Sequence, residues 1–437
     1  MAQVQAQNIV VVGGGAGGLE LACRLGRALG PEQVTLVDSA LFHIWKPSLH
    51  EVAAGTLDLH QEGLSYQMLA HDSGFRFVYG PMVGLDAAAR TLTVAAVQDD
   101  QGQPLLPERV LPYDTLVLAV GSTSQHYGVP GAAEHTLSLN GPQDAETFRL
   151  RMLRLLALAE LRKDEQADAG LDVVIIGGGA TGVELAAELR EASAVHSRYG
   201  FRRIDPLRDV RITILEGAPR ILAPLPEKVS DAATRLLRER QVQVVTDCRV
   251  ARIEPDTVWD TAGQRYPTQL CVWAAGIQAP PWLAQLGLPV ARNGQLQVNA
   301  QLQVQGQDAI YALGDCAWCE QPDGRPVPPR AQAAHQQADY LVQRLLRQAR
   351  GLPLPTAPYR YQDHGSLVSM GTQTSVGSLM GTLFSGSRWF VEGLLARLMY
   401  VSLLLMHHRA VLGPLKTAVL ALARFLVKRA TPLVKLH

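Results

Sequence analysis

Two glycine-rich stretches carry the clearest chemistry in this chain. "IVVVGGGAGGLELACRL" at residues 9–25 returns as "VVIIGGGATGVELAAEL" at residues 173–189. Each is a continuous apolar run, then G-x-G-x-x-G, then a helical pattern: a buried parallel strand feeding a helix through a tight turn. Gly13, Gly15 and Gly18 form the first set; Gly177, Gly179 and Gly182 form the second. The spacing suits a pyrophosphate. The first glycine turns the chain, and the second lets backbone approach the phosphates. The third lets the helix pack on its strand with its positive end toward the charge. Each fingerprint is followed by a second apolar run ending in an acid. Asp38 closes "QVTLVD", and Glu216 closes "VRITILE" after a basic insertion, "HSRYGFRRIDPLRD". A carboxylate there accepts hydrogen bonds from ribose hydroxyls, and an uncovered one repels a 2′-phosphate. Two bound dinucleotides are expected, the second of them NADH rather than NADPH.

Further elements must position these groups. "YDTLVLAVGS" (residues 113–122), "QLCVWAAGIQAP" (269–280) and "DAIYALGDCA" (308–317) each read as a strand opening into a small-residue turn, and these turns hold Gly121, Ala275 with Gly276, and Asp315. In "PPRAQAAHQQADYLVQRLL" the prolines end a loop and a 3.6-residue period begins a helix. Gln332, His335 and Gln336 fall on one face near its start. That helix start is positive and favours an anion nearby. Glu184 sits in the first turn of the second fingerprint helix, where it either serves the helix dipole or does chemistry. Cys316 and Cys319 form the only close cysteine pair. Without a second pair or a thioredoxin-like context, neither redox nor metal work is expected of it. No metal-ligand cluster and no serine–histidine–acid set is legible.

At 437 residues, 47% hydrophobic and 18% charged, the chain suits two or three domains with large cores. Zero net charge gives no global pull toward nucleic acid. The average hides an asymmetry. From residue 384 onward Arg388, Arg397, Arg409, Lys416, Arg424, Lys428, Arg429 and Lys435 face one acid, Glu392, so a tail of about +7 follows a body of about −7. Five scattered cysteines argue for a reducing compartment. "MAQVQAQNIVVVGGG" enters directly into a strand, so no signal peptide is expected, and no apolar run reaches the length of a membrane span.

By its motifs the sequence resembles the two-dinucleotide-binding-domain flavoproteins. It is most similar to the bacterial type II NADH:quinone oxidoreductases, through "GGGAGGLE", "LFHIWKPSLHEVAAGTLD", "GGGATGVELAAEL", "VWAAGIQAP", "YALGDCA", "PPRAQAAHQQA", "DHGSLVSMG", "VGSLMG" and "KLH". The resemblance implies an α/β fold of two Rossmann-like domains, an FAD domain (1–165 and 296–380) interrupted by an NADH domain (166–295), and a helical membrane-binding region (381–437). It implies FAD at Gly13, Gly15, Gly18, Asp38, Lys46, Gly121 and Asp315, and NADH at Gly177, Gly179, Gly182, Glu216, Ala275 and Gly276. Gln332 and Gln336 would line a quinone pocket, with Glu184 near nicotinamide and quinone. His335 inherits no role. Disulfide-reducing members carry a cysteine pair where this chain reads "LFHIWKPSLHEVAAG", and sulfide oxidation needs flavin-proximal cysteines, so neither thiol chemistry is expected. Several relatives carry a lysine in the loop matching "MGTQTSVG" (370–377); this chain has none there.

The tail completes the reading. Residues 391–406 read as an apolar helix stopped by His407, His408 and Arg409. Gly413-Pro414 starts a second helix with Leu415, Val419, Leu422 and Leu426 on one arc. Lys416, Thr417, Arg424 and Lys428 lie on the other side, the pattern of a helix lying in an anionic lipid surface. The expected protein is a peripheral flavoenzyme on the cytoplasmic face of a bacterial membrane, oxidising NADH and reducing quinone without proton pumping. Its rivals are a soluble reductase of a carrier protein and a non-enzymatic redox sensor. A homodimer core is the other use of such a helical pair.

Overall fold

A computed structural model of the chain describes residues 7–99, 101–371, 374–380 and 388–430. Expectations at Thr372, Gln373, residues 381–387 and the closing Lys435 to His437 lie outside them.

The apolar runs become parallel strands because they are buried on both faces. In chain order, β1 (Ile9–Val12) feeds α1 (Ala16–Leu29), followed by β2 (Val34–Asp38), α2 (Leu49–Ala54), α3 (Tyr66–Ser73), β3 (Arg76–Tyr79) and β4 (Thr115–Leu118). The chain then builds a second sheet. β5 (Leu137–Ser138), α4 (Pro142–Arg162), β6 (Leu171–Ile176), α5 (Ala180–Tyr199), β7 (Val210–Leu215), β8 (Val242–Val245) and β9 (Leu270–Trp273) belong to it. β10 (Ile310–Ala312) returns to complete the first sheet. The strand orders are β10-β4-β1-β2-β3 and β5-β9-β6-β7-β8, the same pattern with a fingerprint strand at each centre. Registers repeat as well. Val10 lies between Leu116 and Thr35, and Val174 lies between Cys271 and Thr213.

In chain order the second sheet therefore lies between β4 and β10 of the first. β5 pairs with β9, and Phe148, Met152 and Leu156 of α4 share a core with Val173 and Ile212, so the insertion begins near residue 137. Leu283 and Leu288 pack into the first core, so it ends near residue 279.

Beyond α6 (Ala331–Ala349), strands β11 (Gly365–Ser369), β12 (Ser375–Met380) and β13 (Arg388–Gly393) form an antiparallel sheet. Two helices follow, α7 (Leu394–Leu412) and α8 (Pro414–Ala430). Here the expected helix over 391–406 is corrected. Residues 391–393 are strand: Val391, Glu392 and Gly393 pair with Gly377, Val376 and Ser375 of β12. The helix then runs through His407, His408 and Arg409 instead of stopping at them. Both histidines are buried against the body.

In α8 two of the cations expected to meet lipid bind the body instead. Lys416 bonds Asp72 at 2.5 Å, Arg424 pairs with Glu62, and Thr417 is buried, so the polar side turns inward. The arc of Leu415, Val419, Leu422 and Leu426 faces outward, with Leu415 77% exposed. A soluble helix does the reverse. Among the described residues, no helix is long and apolar enough to cross a membrane.

Candidate active site

The two fingerprints fold into the same cradle. Gly13 and Gly177 have φ of +100° and +108°, in the left-handed half of the map that favours glycine. A Cβ on Gly18 would stand 2.0 Å from the Gly13 carbonyl oxygen, and one on Gly182 2.0 Å from that of Gly177. Both glycines are there for helix-to-strand contact. Gly15 and Gly179 cap their helices in extended conformation, and a Cβ on either would meet nothing within 4 Å. That open backbone at a positive helix end is shaped for a pyrophosphate.

The acids that follow repeat the pattern. Asp38 accepts from the backbone N–H of Gly14 at 2.6 Å and of Ala40 at 2.7 Å. Glu216 accepts from Gly178 at 2.6 Å and Ala218 at 2.7 Å. Each carboxylate thus braces its own glycine loop and keeps lone pairs over for a ribose hydroxyl. Burial raises Asp38 above the usual carboxylate range, against the pull of those N–H groups.

Lys46, Ser122 and Asp315 come from three distant segments and meet beyond the carboxyl ends of the first sheet. Lys46 Nζ donates to the Ser122 carbonyl at 2.9 Å, and Ser122 Oγ donates to Asp315 at 2.8 Å. Burial lowers the Lys46 ammonium, against the charges of Asp315 and Asp144. Gly121 turns between them at φ +73°. In the second unit the turn after β9 holds Ala275 and Gly276 (φ +79°), and Ile277–Gln278 pairs with Thr123–Ser124, lacing the two turns together.

Gln332 and Gln336 do share one face of α6, and both amides are already engaged. Gln336 exchanges two hydrogen bonds with the backbone of Gln362, at 2.8 and 2.9 Å. Gln332 donates to the Gly365 carbonyl at 3.1 Å and accepts from the His364 N–H at 3.3 Å. The pair clamps residues 362–365, which lead into β11. Cys316 and Cys319 are buried, and burial pushes both thiols up to about 11, so neither is a ready thiolate.

Glu184 sits where four elements converge. Its Oε1 accepts from the Ser369 N–H of β11 at 2.9 Å, and its Oε2 lies 3.5 Å from His50 Nδ1 of α2. Burial raises its carboxyl to about 8, the Ser369 N–H opposing and the charges of Glu51 and Glu188 adding to the rise. Arg397 reaches in from α7, its guanidinium 3.2 Å from Ser369 Oγ. A carboxyl that holds its proton at neutral pH can act as an acid.

Sequence reasoning missed the partner of this acid in the first unit. Glu20 stands two residues past Gly18 as Glu184 stands two past Gly182, and it too is buried. Its oxygens lie 2.5 Å from His335 Nδ1 and 2.7 Å from His407 Nδ1. His407 Nε2 lies 2.9 Å from His43 Nε2, and His43 Nδ1 lies 2.8 Å from the Gly14 carbonyl. Burial opposes, but hydrogen bonds from His335 and His407 hold Glu20 below the usual range. His335, given no role by the sequence, is thus one end of a chain that leads to the first glycine loop. The repeated "LELA/VELA" text was a signal for Glu20, and the i, i+4 spacing from Glu184 was one for Glu188. Nothing local marked His407.

Comparison with known proteins follows from this geometry. The family model described as pyridine nucleotide-disulphide oxidoreductase matches residues 7–338. The chain is 36% identical to the type II NADH:quinone oxidoreductase of Haemophilus influenzae, over 99% of this chain and 100% of that one. It is 32% identical to the demethylphylloquinone reductase NdbB of Synechocystis, over 87% and 88%. Among solved structures, NDH2 of Plasmodium falciparum in complex with NADH superposes with a TM-score of 0.82 at 18% identity, covering 99% of this chain and 100% of that one.

Proposed function

The chain belongs to the pyridine nucleotide-disulphide oxidoreductase family and, within it, to the type II NADH:quinone oxidoreductases, and from that premise we propose which residues carry the reaction and where it takes place. The protein oxidises NADH and passes two electrons through FAD to a quinone, without pumping protons. The duplicated cradle carries this reading: two loops with glycines of like conformation, each braced by its own carboxylate, one per sheet.

Gly13, Gly15, Gly18, Asp38, Lys46, Gly121 and Asp315 would hold FAD; Gly177, Gly179, Gly182, Glu216, Ala275 and Gly276 would hold NADH. Bound FAD supplies the redox chemistry, taking hydride from the nicotinamide and returning two electrons to the quinone. The chain's own task is to bind, to orient and to supply protons. Reduction of a quinone to a quinol takes up two protons, and Glu184, buried and raised to about 8, can give one. Gln332 and Gln336 shape the quinone side by fixing residues 362–365. Glu216 selects NADH over NADPH by charge.

The reaction takes place at a membrane surface with anionic lipid, on its cytoplasmic face. The outward apolar arc of α8 and the exposed Leu394, Leu395 and Leu398 of α7 support this. Inserting such side chains contributes roughly 1.5–3 kcal/mol each, against about 1 kcal/mol for a surface cation. With Lys416 and Arg424 spent on the body, apolar insertion dominates.

The test is anaerobic stopped-flow on the FAD-loaded protein. NADH should bleach the flavin rapidly, and a soluble short-chain quinone should reoxidise it. Gln332→Leu with Gln336→Leu should slow reoxidation about tenfold or more and spare reduction by NADH. Equal slowing of both steps would remove the glutamines from the quinone side, and a flavin that no quinone reoxidises would overturn the assignment of activity.

A further inference from the structure

We propose that a cavity of about 400 Å³ between α1, α6 and α7 binds the phosphate headgroup of an anionic phospholipid. Its lining is Arg24, Arg27, His335, Met406, Arg409 and Ala410. The proposal rests on the membrane-surface reading and adds one defined lipid site to it.

Charge is the first observation. Among the described residues only Arg24 of the three guanidinium groups meets a carboxylate, that of Asp339. Among the described residues Arg27 donates to neutral acceptors, the carbonyls of Ala410 and Val411 and the Ser73 hydroxyl. Arg409 is exposed, and its guanidinium has no hydrogen bond or ion pair among the described residues. Two acids border the site: Asp339, which also lies 3.5 Å from His335 Nε2, and Glu20, bound to His335 and His407. Three guanidinium groups against these two carboxylates leave the cavity with an excess of positive charge, carried by groups whose N–H donors suit phosphate oxygens.

Position is the second. Leu394, Leu398, Val401 and Arg409 lie along one side of α7 at helical spacing, and Met406 borders the same side. All five are exposed. The arginine mouth thus stands at the end of the stripe that enters lipid. An anionic phospholipid presents the same sequence of properties, a phosphate followed by acyl chain. The volume falls within the range of small-ligand pockets, and the Glu20 hydrogen bond fixes the ring of His335 as a rigid wall.

Native mass spectrometry of the FAD-loaded protein tests this with dihexanoyl phosphatidylglycerol below its micelle concentration. One molecule should bind saturably, and dihexanoyl phosphatidylcholine should bind at least tenfold more weakly. Arg409→Gln should weaken the phosphatidylglycerol about fivefold while retaining FAD. Lys416→Gln, an equal charge loss on α8, should leave it unchanged. Non-saturable binding, equal binding of the choline lipid, or equal effects of the two substitutions would each overturn the pocket. Glycerol phosphate binding as tightly would reassign it to a free phosphate ester. Flotation with vesicles of phosphatidylcholine, with and without phosphatidylglycerol, separates the two levels. Protein that floats with both equally loses only the pocket, and protein that floats with neither loses the membrane reading as well.

Discussion

Glu20 and Glu184 hold the same place in the two fingerprints and do different chemistry, because their neighbours differ. Glu20 lies against two histidine nitrogens, which hold it below the usual carboxylate range; Glu184 is raised to about 8, first by burial and then by the nearby charges of Glu51 and Glu188. Raised in the fold from 4.5 to about 8, Glu184 binds its proton more tightly folded than unfolded. Its stabilising share is complete below pH 4.5 and is lost as pH rises through about 8. Burial raises Glu188 in the same direction. The unfolding midpoint should fall over that window, and Glu184→Gln should flatten the fall. The same substitution should slow the quinone half-reaction about a hundredfold and leave flavin reduction by NADH unchanged; a loss confined to the NADH step would exclude the proton-donor role. Glu216→Gln should lower the preference for NADH over NADPH, measured as the ratio of kcat/KM values. It also sets an amide group against the Gly178 or Ala218 N–H, at a stability loss of roughly 1–3 kcal/mol seen in thermal unfolding.

At the scale of elements, α7 is fastened to the first nucleotide unit by side chains. His43 donates through Nδ1 to Gly14, and burial holds its ring well below the usual histidine range, so its Nε2 accepts from His407. The His407 Nδ1–Glu20 contact then requires one proton on that pair. His407→Leu strips Glu20 of a buried partner and should cost about 3–5 kcal/mol, with faster hydrogen exchange over residues 394–412. Replacing Glu20 by Leu as well should recover much of it, and a double variant no better than the single would show that the pair is not what holds the helix. The apolar run marked a helix over residues 391–406. It gave no sign that the helix continues, because an Arg-flanked histidine pair looks polar until partners 364 and 387 residues away neutralise it.

The whole molecule joins two nucleotide units and a helical hairpin whose first helix is part of the body and whose second is an appendage. A chain ending at Gly413 keeps Arg397 and His407 and loses α8, with its pairs to Asp72 and Glu62, and residues 431–437. It should retain FAD, and oxidise NADH with a short-chain quinone within about twofold of the intact rate. It should no longer float with vesicles. Continued flotation would assign membrane attachment to α7 alone.

The sequence by itself determined the two cradles, because a pyrophosphate loop is local. Three glycines, a strand and an acid at fixed spacing leave the backbone no other good solution, and the strand text placed Asp315 after the inserted unit. The insertion's limits were not legible, because a two-residue strand such as Leu137–Ser138 carries no pattern of its own and is defined by its partner β9. Only the tertiary structure decided which way the tail faces. Periodicity gives the two sides of α8, and it was the meeting with Asp72 and Glu62 that turned the charged side inward and left the apolar one exposed. The same holds for the buried acids: their proton affinity depends on distant charges and lost water, and neither is written in the residues beside them.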